Sequence, residues 1–530
     1  MTTRASGRPS RPRRRSVAAA LALSAGLLVA SPGATSATGA TGATGAAGAT
    51  APEPSLLDAW TESGRYTLAA GVTYVRYTER AVTEGRVAKR ELNVVVADPA
   101  LGATRLESTV GGAAARAETV GAQLAAVRPE RPLAGINGSF FAPEPPHEGG
   151  IAFGGTAVRD GQVNGTGCLN GNQAVVLQHG LPYISKLRAT VTLQAVDASG
   201  AVVAERLLDD VNRDPGRGVG CVRGADDVRK DLAYDPSAPD DKTTVFVDGD
   251  ELVAFNDSYN LPTPSSGRDT HPEVTTDDDP GYEVTVDPQG VFTLPKDAGG
   301  QWTEGRGGKN VATGGFVLQA VGAEAERWLR DNLTAGRTLQ LRQEVVDLEF
   351  PDHHIALDES VDIVSGLAHR LLDDGATATT SDTCARLFDR TGVRRKGEPQ
   401  PGDHCRDSRT ALGVDTRGRT VMATLTGRRD VLDAQGGVLH PTDTADTAGV
   451  DGAFLHEFAA ILKLPELGVI DAVNLDGGGS TTLYTLDKRQ TGMTDIARQP
   501  DGTYRRVERP VADGVYLTRG GYALPGGTLP

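Results

Sequence analysis

Val469-Ile-Asp-Ala-Val-Asn-Leu-Asp-Gly-Gly-Gly-Ser-Thr-Thr-Leu-Tyr484 is the stretch on which the reading of this chain turns. The mostly apolar run Val469 to Val473 reads as a buried strand, and Leu483-Tyr484 resumes a strand beyond the glycines. A strand repeats every two residues, so Asn474 and Asp476 share one face while Val473 and Leu475 point the other way. Gly477, Gly478 and Gly479 allow positive φ and, having no Cβ, let backbone N–H groups approach a ligand closely. A fixed carboxylate would then stand beside a donor-rich concavity, suited to binding or hydrolysing an anionic compound. The same Asp-Gly-Gly-Gly is also good hairpin turn chemistry.

Working outward, residues 406–425 form a strand pair. Ser408-Arg-Thr-Ala-Leu-Gly-Val-Asp415 is strand-patterned, Thr416-Arg-Gly-Arg419 turns, and Val421-Met-Ala-Thr-Leu425 returns. Arg409, at the start of that strand, can present a bidentate fork to phosphate. Gly452 to Leu464 is the clearest helix, with Asp451 as a candidate N-cap, Pro465 after its last turn, and Phe454, Phe458, Ile461 and Leu462 as its apolar stripe. Glu457 falls beside that stripe, close to the strand carrying Asp476, whereas His456 falls nearly opposite and is expected in water. Short strands separated by turns fill residues 55–130, with a short helix at Thr119 to Val127. Asn137-Gly138 is a tight-turn signal followed by Phe140 and Phe141. A helix at Ala323 to Asn332 precedes a strand at Thr338 to Leu341. The predicted fold is α+β, a mixed and mainly antiparallel β-sheet core with helices packed on it. Four regions are expected: 1–37, a signal peptide; 38–54, a flexible Ala/Thr/Gly leader; 55–345, strand-rich with acidic loop insertions; and 346–530, the core that carries the chemistry.

The leader reading rests on composition. Arg11-Pro-Arg-Arg-Arg15 is a basic n-region and Val17 to Ala30 an apolar h-region, followed by small residues suited to cleavage. No later run reaches about 18 apolar residues, so no membrane anchor is expected and the product should be secreted. With 69 acidic against 54 basic residues the formal charge is −15, which argues against nucleic acid as a partner but not against a small anion held by local donors. Cys168, Cys221, Cys384 and Cys405 allow three pairings, and Cys384–Cys405 with Cys168–Cys221 is favoured. No Cys-x-x-Cys spacing supports a metal, no cofactor is expected, and the oligomeric state is left open. Asp277-Asp-Asp279 and Asp352-His-His354 read chiefly as surface loops.

Several segments, in order, resemble the phosphodiester glycosidase family: Gly135-Ile-Asn-Gly-Ser-Phe-Phe141, the turn at Gly161 with Cys168-Leu-Asn-Gly-Asn-Gln173, Arg409-Thr-Ala-Leu-Gly-Val-Asp415, Leu455-His-Glu-Phe-Ala459, and Asn474-Leu-Asp-Gly-Gly-Gly-Ser480. The resemblance implies a hydrolase that cleaves a sugar-1-phosphodiester at the anomeric C–O bond; with an Arg-rich, Ala/Thr-rich leader for export, the expected substrate is a phosphorylated glycan of a cell wall or exopolysaccharide. It implies Asp476 and Glu457 as the catalytic carboxylates. Arg409, the amides of Gly477–Gly479 and Ser480 would hold phosphate, and Asn137 and Asn474 would lie in the substrate site. Two other readings use the same residues differently: a non-catalytic exported module that binds phosphorylated glycans, and a metal-dependent phosphodiesterase built on His353, His354 and the acidic loops.

Overall fold

In the computed structural model the described residues are 54–80, 90–102, 104–127, 131–143, 150–216, 220–224, 227–233, 242–247, 249–267, 278–367, 369–378, 407–427, 452–498 and 504–520. All of them lie in one of the chain's two contact units, Pro54–Pro530. Strand outweighs helix by 47 % to 10 %, so the fold is β-rich and mostly antiparallel rather than a balanced α+β arrangement. The helices at Val120–Ala126 and Ala323–Asn332 lie where the sequence placed them. The third begins later than expected, at Leu455–Lys463, after an N-cap at Phe454. Asp451, its expected cap, lies outside the described residues.

The central sheet has eight strands, in the order Trp60–Ala69, Val72–Glu79, Arg90–Ala97, Thr420–Gly427, Arg409–Asp415, Val469–Asn474, Arg370–Asp373 and Ala376–Thr377. Strands from both sides of position 345 therefore share one sheet. Alternation along these strands feeds two cores. Val421, Ala423 and Leu425 face Phe458, Ile461 and Leu462 of the helix. Met422, Leu412, Val473 and Leu475 face the opposite way, against Ile136, Leu483 and Val515. Those last three belong to a five-stranded sheet ordered Lys488–Arg489, Leu483–Thr485, Ala134–Asn137, Gly514–Arg519 and Thr104–Thr109.

The glycine stretch is the crossover between these two sheets: it leaves the first at Asn474 and enters the second at Leu483. The strand ending at Asn137 in the second sheet is not half of the hairpin that Asn137-Gly138 suggested. It pairs with Leu483–Thr485 and Gly514–Arg519, which are distant in sequence. The closing strand is Gly514–Arg519, and Arg509 to Asp513 form the approach to it. A further sheet is built around the long strand Leu181–Val196 and shares a large apolar core with a five-stranded sheet that contains Leu252–Asn256 and Phe316–Ala320. The Cys168–Cys221 disulfide forms in this half, whereas Cys384 and Cys405 lie outside the described residues.

Candidate active site

Val473 and Leu475 are fully buried, which turns Asn474 and Asp476 to the opposite side. Three successive amides then bond to three different segments. Asn474 N–H donates to His369 O (2.8 Å), Leu475 N–H to Thr410 O (2.9 Å) and Asp476 N–H to Gly138 O (2.9 Å). Asn137 adds a fourth tie, because its Nδ2 donates to Asp476 O at 2.6 Å while its Oδ1 accepts from Thr410 Oγ1 and Thr482 N–H. Asn137 is wholly buried and spent on these bonds. It is a clamp between strand ends, with both side-chain atoms bonded within the protein and not turned to a substrate as the resemblance implied. The result is a half-buried Asp476 carboxyl on a backbone with little freedom to shift.

Each glycine of the triplet lies under a polar or charged group. Gly478 takes φ of +57°, where L side chains are strained, and a Cβ there would stand 2.9 Å from Asp407 Oδ2. A Cβ on Gly479 would stand 2.5 Å from the guanidinium carbon of Arg509, and one on Gly477 would stand 2.7 Å from Ser408 O and 3.7 Å from Arg409 Nη1. The bare backbone is therefore a floor on which Arg409, Asp407 and Arg509 rest side by side. Two of the three amides expected to face phosphate are committed elsewhere. Gly477 N–H donates to Asp476 Oδ1 (3.0 Å) and Gly478 N–H to Ser408 O (2.8 Å).

The electrostatics follow from this packing. Burial lifts the Asp476 pKa from 3.8 to about 6, opposed by the nearby Ser480 hydroxyl, Arg509 and the Gly477 N–H, with Asp407 adding to the rise. Burial also raises Asp407, against the pull of Arg409, the Ser408 N–H and Arg509. Arg409 donates through Nε to Ala453 O at 2.8 Å; burial pulls its pKa down while Asp407 supports its charge. Asp513, fully enclosed and bonded to Ser139 N–H and Oγ, is likewise raised to about 6 by burial. Four buried side-chain oxygens around the turn have no hydrogen-bond partner among the described residues: Ser408 Oγ, Asn474 Oδ1, Thr481 Oγ1 and Thr482 Oγ1. Unsatisfied buried oxygens are costly, and a polar ligand is one way to satisfy them.

Glu457 sits elsewhere than expected. Its Oε1 pairs with Arg90 Nη1 at 2.5 Å, and its Oε2 accepts from Phe454 N–H at the start of its own helix. Arg90 also grips Glu79 and lies over the Trp60 ring. Glu457 thus steadies the 452–454 turn, whose Ala453 carbonyl holds Arg409, and it reaches the site at one remove. The carboxyls that share the field of Asp476 are Asp407 and Asp513. His456 stacks on Phe454, half-buried, instead of facing water. Sequence reading missed Asp407 and Arg509. Asp407, two residues before Arg409, was within reach of strand periodicity; Arg509 lies in none of the motifs that marked the site. His353 lies against Tyr183 and Asp347. Among the described residues no group of three or more His, Cys, Asp or Glu side chains is arranged to hold a metal ion.

Fold and site together define a β-rich protein with an acid–arginine cluster on a glycine crossover. Residues 282–518, which carry Arg409, Asp476 and Arg509, match the phosphodiester glycosidase family. Among solved structures, the chain is similar to a Burkholderia pseudomallei protein described as exported, at 19 % identity and TM-score 0.61, covering 88 % of this chain and 97 % of that one. A hypothetical protein from Synechocystis aligns at 15 % identity and TM-score 0.51 over 85 % of this chain and 62 % of that one. The zebrafish N-acetylglucosamine-1-phosphodiester α-N-acetylglucosaminidase catalytic domain aligns at 12 % identity and TM-score 0.34, over 87 % of both chains. No curated protein sequence matches the chain.

Proposed function

We propose that this protein is a secreted hydrolase that cleaves the glycosidic C–O bond of a sugar-1-phosphodiester, releasing free sugar and a phosphomonoester. A glycan carrying N-acetylglucosamine-1-phosphodiester is the reference substrate. The observation that carries this reading is the Asp476 carboxyl, on a backbone bonded to three segments and next to the glycine turn on which Arg409 and Arg509 rest. The match of residues 282–518 to the phosphodiester glycosidase family supports the glycosidase class. The disulfide is compatible with export, and a basic, apolar leader would direct it.

A phosphodiester leaves as a stabilised anion, so the reaction needs little general-acid assistance at the departing oxygen. Water attacks the anomeric carbon, the C–O electron pair passes to the phosphate oxygen, and the water proton passes through Asp476 to solvent. Ionised Asp476 also stabilises the oxocarbenium-like carbon of the transition state. The arginines hold the phosphate. The test is to incubate the purified mature chain with a panel of sugar-1-phosphodiesters and measure free reducing sugar. Release by the wild type, reduced about 10²–10⁴-fold in a folded Asp476→Asn variant, is expected. Binding of these glycans without sugar release would instead identify a recognition module, and full activity of Asp476→Asn would remove the central assignment.

A further inference from the structure

Arg509 belongs to no motif that singled out the site, yet its guanidinium is stacked on Gly479, with Arg409 at the other end of the same turn. Asp495 holds it side-on, with Nε donating to Oδ2 at 2.9 Å and Nη2 to Oδ1 at 2.8 Å. That fork occupies one edge of the planar group. The end-on edge, Nη1 and the second hydrogen of Nη2, makes no hydrogen bond among the described residues. The side chain is 41 % exposed, so a solute can reach it, whereas Asp495 is 24 % exposed.

A purely structural role, pinning the Asp495–Arg498 and Tyr504–Val507 hairpin to the glycine turn, is already filled. Thr494 Oγ1 donates to Gly479 O at 2.9 Å, one residue before Asp495. A cation fixed in orientation by one carboxylate, with its remaining donors open, matches a second anion.

We infer that Arg509, clipped by Asp495 onto the glycine floor, is the second phosphate-binding cation of the site and selects phosphorylated over neutral sugar ligands. Arg409 and Arg509 then flank the phosphate from the two ends of the Gly477–Gly479 turn. This deepens the proposed function and rests on its assignment of the pocket, but its test needs no turnover.

Inorganic phosphate and free N-acetylglucosamine are titrated calorimetrically into the full mature chain and into Arg509→Met and Gly479→Ala. The alanine is the second probe: its Cβ displaces the guanidinium while leaving the charge in place, and Gly479 is not among the glycines with positive φ. Phosphate affinity is expected to fall about tenfold or more in Arg509→Met and by a similar factor in Gly479→Ala, with sugar affinity changed less than about threefold. Unchanged phosphate affinity in Arg509→Met, an equal loss for both ligands, or no phosphate binding by the wild type would overturn the inference. If the wild type releases no sugar from any phosphodiester yet shows the Arg509-dependent phosphate binding, the hydrolase reading fails and the anion site stands.

Discussion

Replacing Asp476 by Asn should make the protein more stable at neutral pH while removing its activity. In the folded chain the Asp476 pKa is lifted from 3.8 to about 6, so the native state binds this proton more tightly than the unfolded chain does. Stability derived from the protonated form is fully present below about pH 4 and is lost as pH rises through about 6. Two pH units at ~1.4 kcal/mol each bound the cost of the ionised carboxylate at about 3 kcal/mol, and solvent reaching a half-buried group trims it to about 1–3 kcal/mol. Asparagine never ionises and keeps the oxygen that accepts from Gly477 N–H. Denaturant unfolding of both proteins at pH 4 and 7.5 tests this. The variant should match the wild type at pH 4 and exceed it by about 1–3 kcal/mol at pH 7.5. A variant equally or less stable at pH 7.5 refutes the reasoning, because Asp476 would then be stabilised, not strained, by its pocket.

Asp407→Asn removes a negative charge that raises Asp476, so the acid limb of the kcat/KM–pH profile should move to lower pH, by less than about one unit; an unmoved limb would show the two carboxyls to be uncoupled. Glu457→Gln should cost about 1–3 kcal/mol of stability, read by chemical unfolding, through the weakened Arg90 pairing, and should lower kcat/KM by far less than Asp476→Asn does. A loss of activity equal to that of Asp476→Asn in a folded protein would restore Glu457 to the chemistry. Removing the Cys168–Cys221 bond, which spans 53 residues, should lower stability by about 4 kcal/mol on the loop-closure relation, measured by urea unfolding of Cys168→Ser/Cys221→Ser.

What the sequence disclosed depended on range. Val469 to Leu475 and the 408–425 strand pair were legible because alternation and turn residues are local signals, and both appear as central strands with the expected faces buried. Glu457 misled because its helical position fixes only which side of the helix it occupies. Whether Arg90 or Asp476 waits there depends on which strand enters the sheet alongside, and Arg90 lies 367 residues away. The amides of Gly477 and Gly478 looked available because glycine permits approach, but the turn consumes them itself. Asn137 resembled a substrate ligand for a related reason: a motif marks a residue as important without saying whether it faces ligand or backbone. Helices were overweighted in the fold class, since three short amphipathic segments stand out in a sequence more than many brief strands do.

The central claim concerns which bond breaks, and isotopic oxygen reports it. The mature protein hydrolyses N-acetylglucosamine-1-(methyl phosphate) in water enriched in oxygen-18, and both products are weighed by mass spectrometry. Label in the sugar hydroxyl, with unlabelled methyl phosphate, is the expected result. Label in the phosphate would mean cleavage at phosphorus, and the glycosidase account of Asp476 would be contradicted.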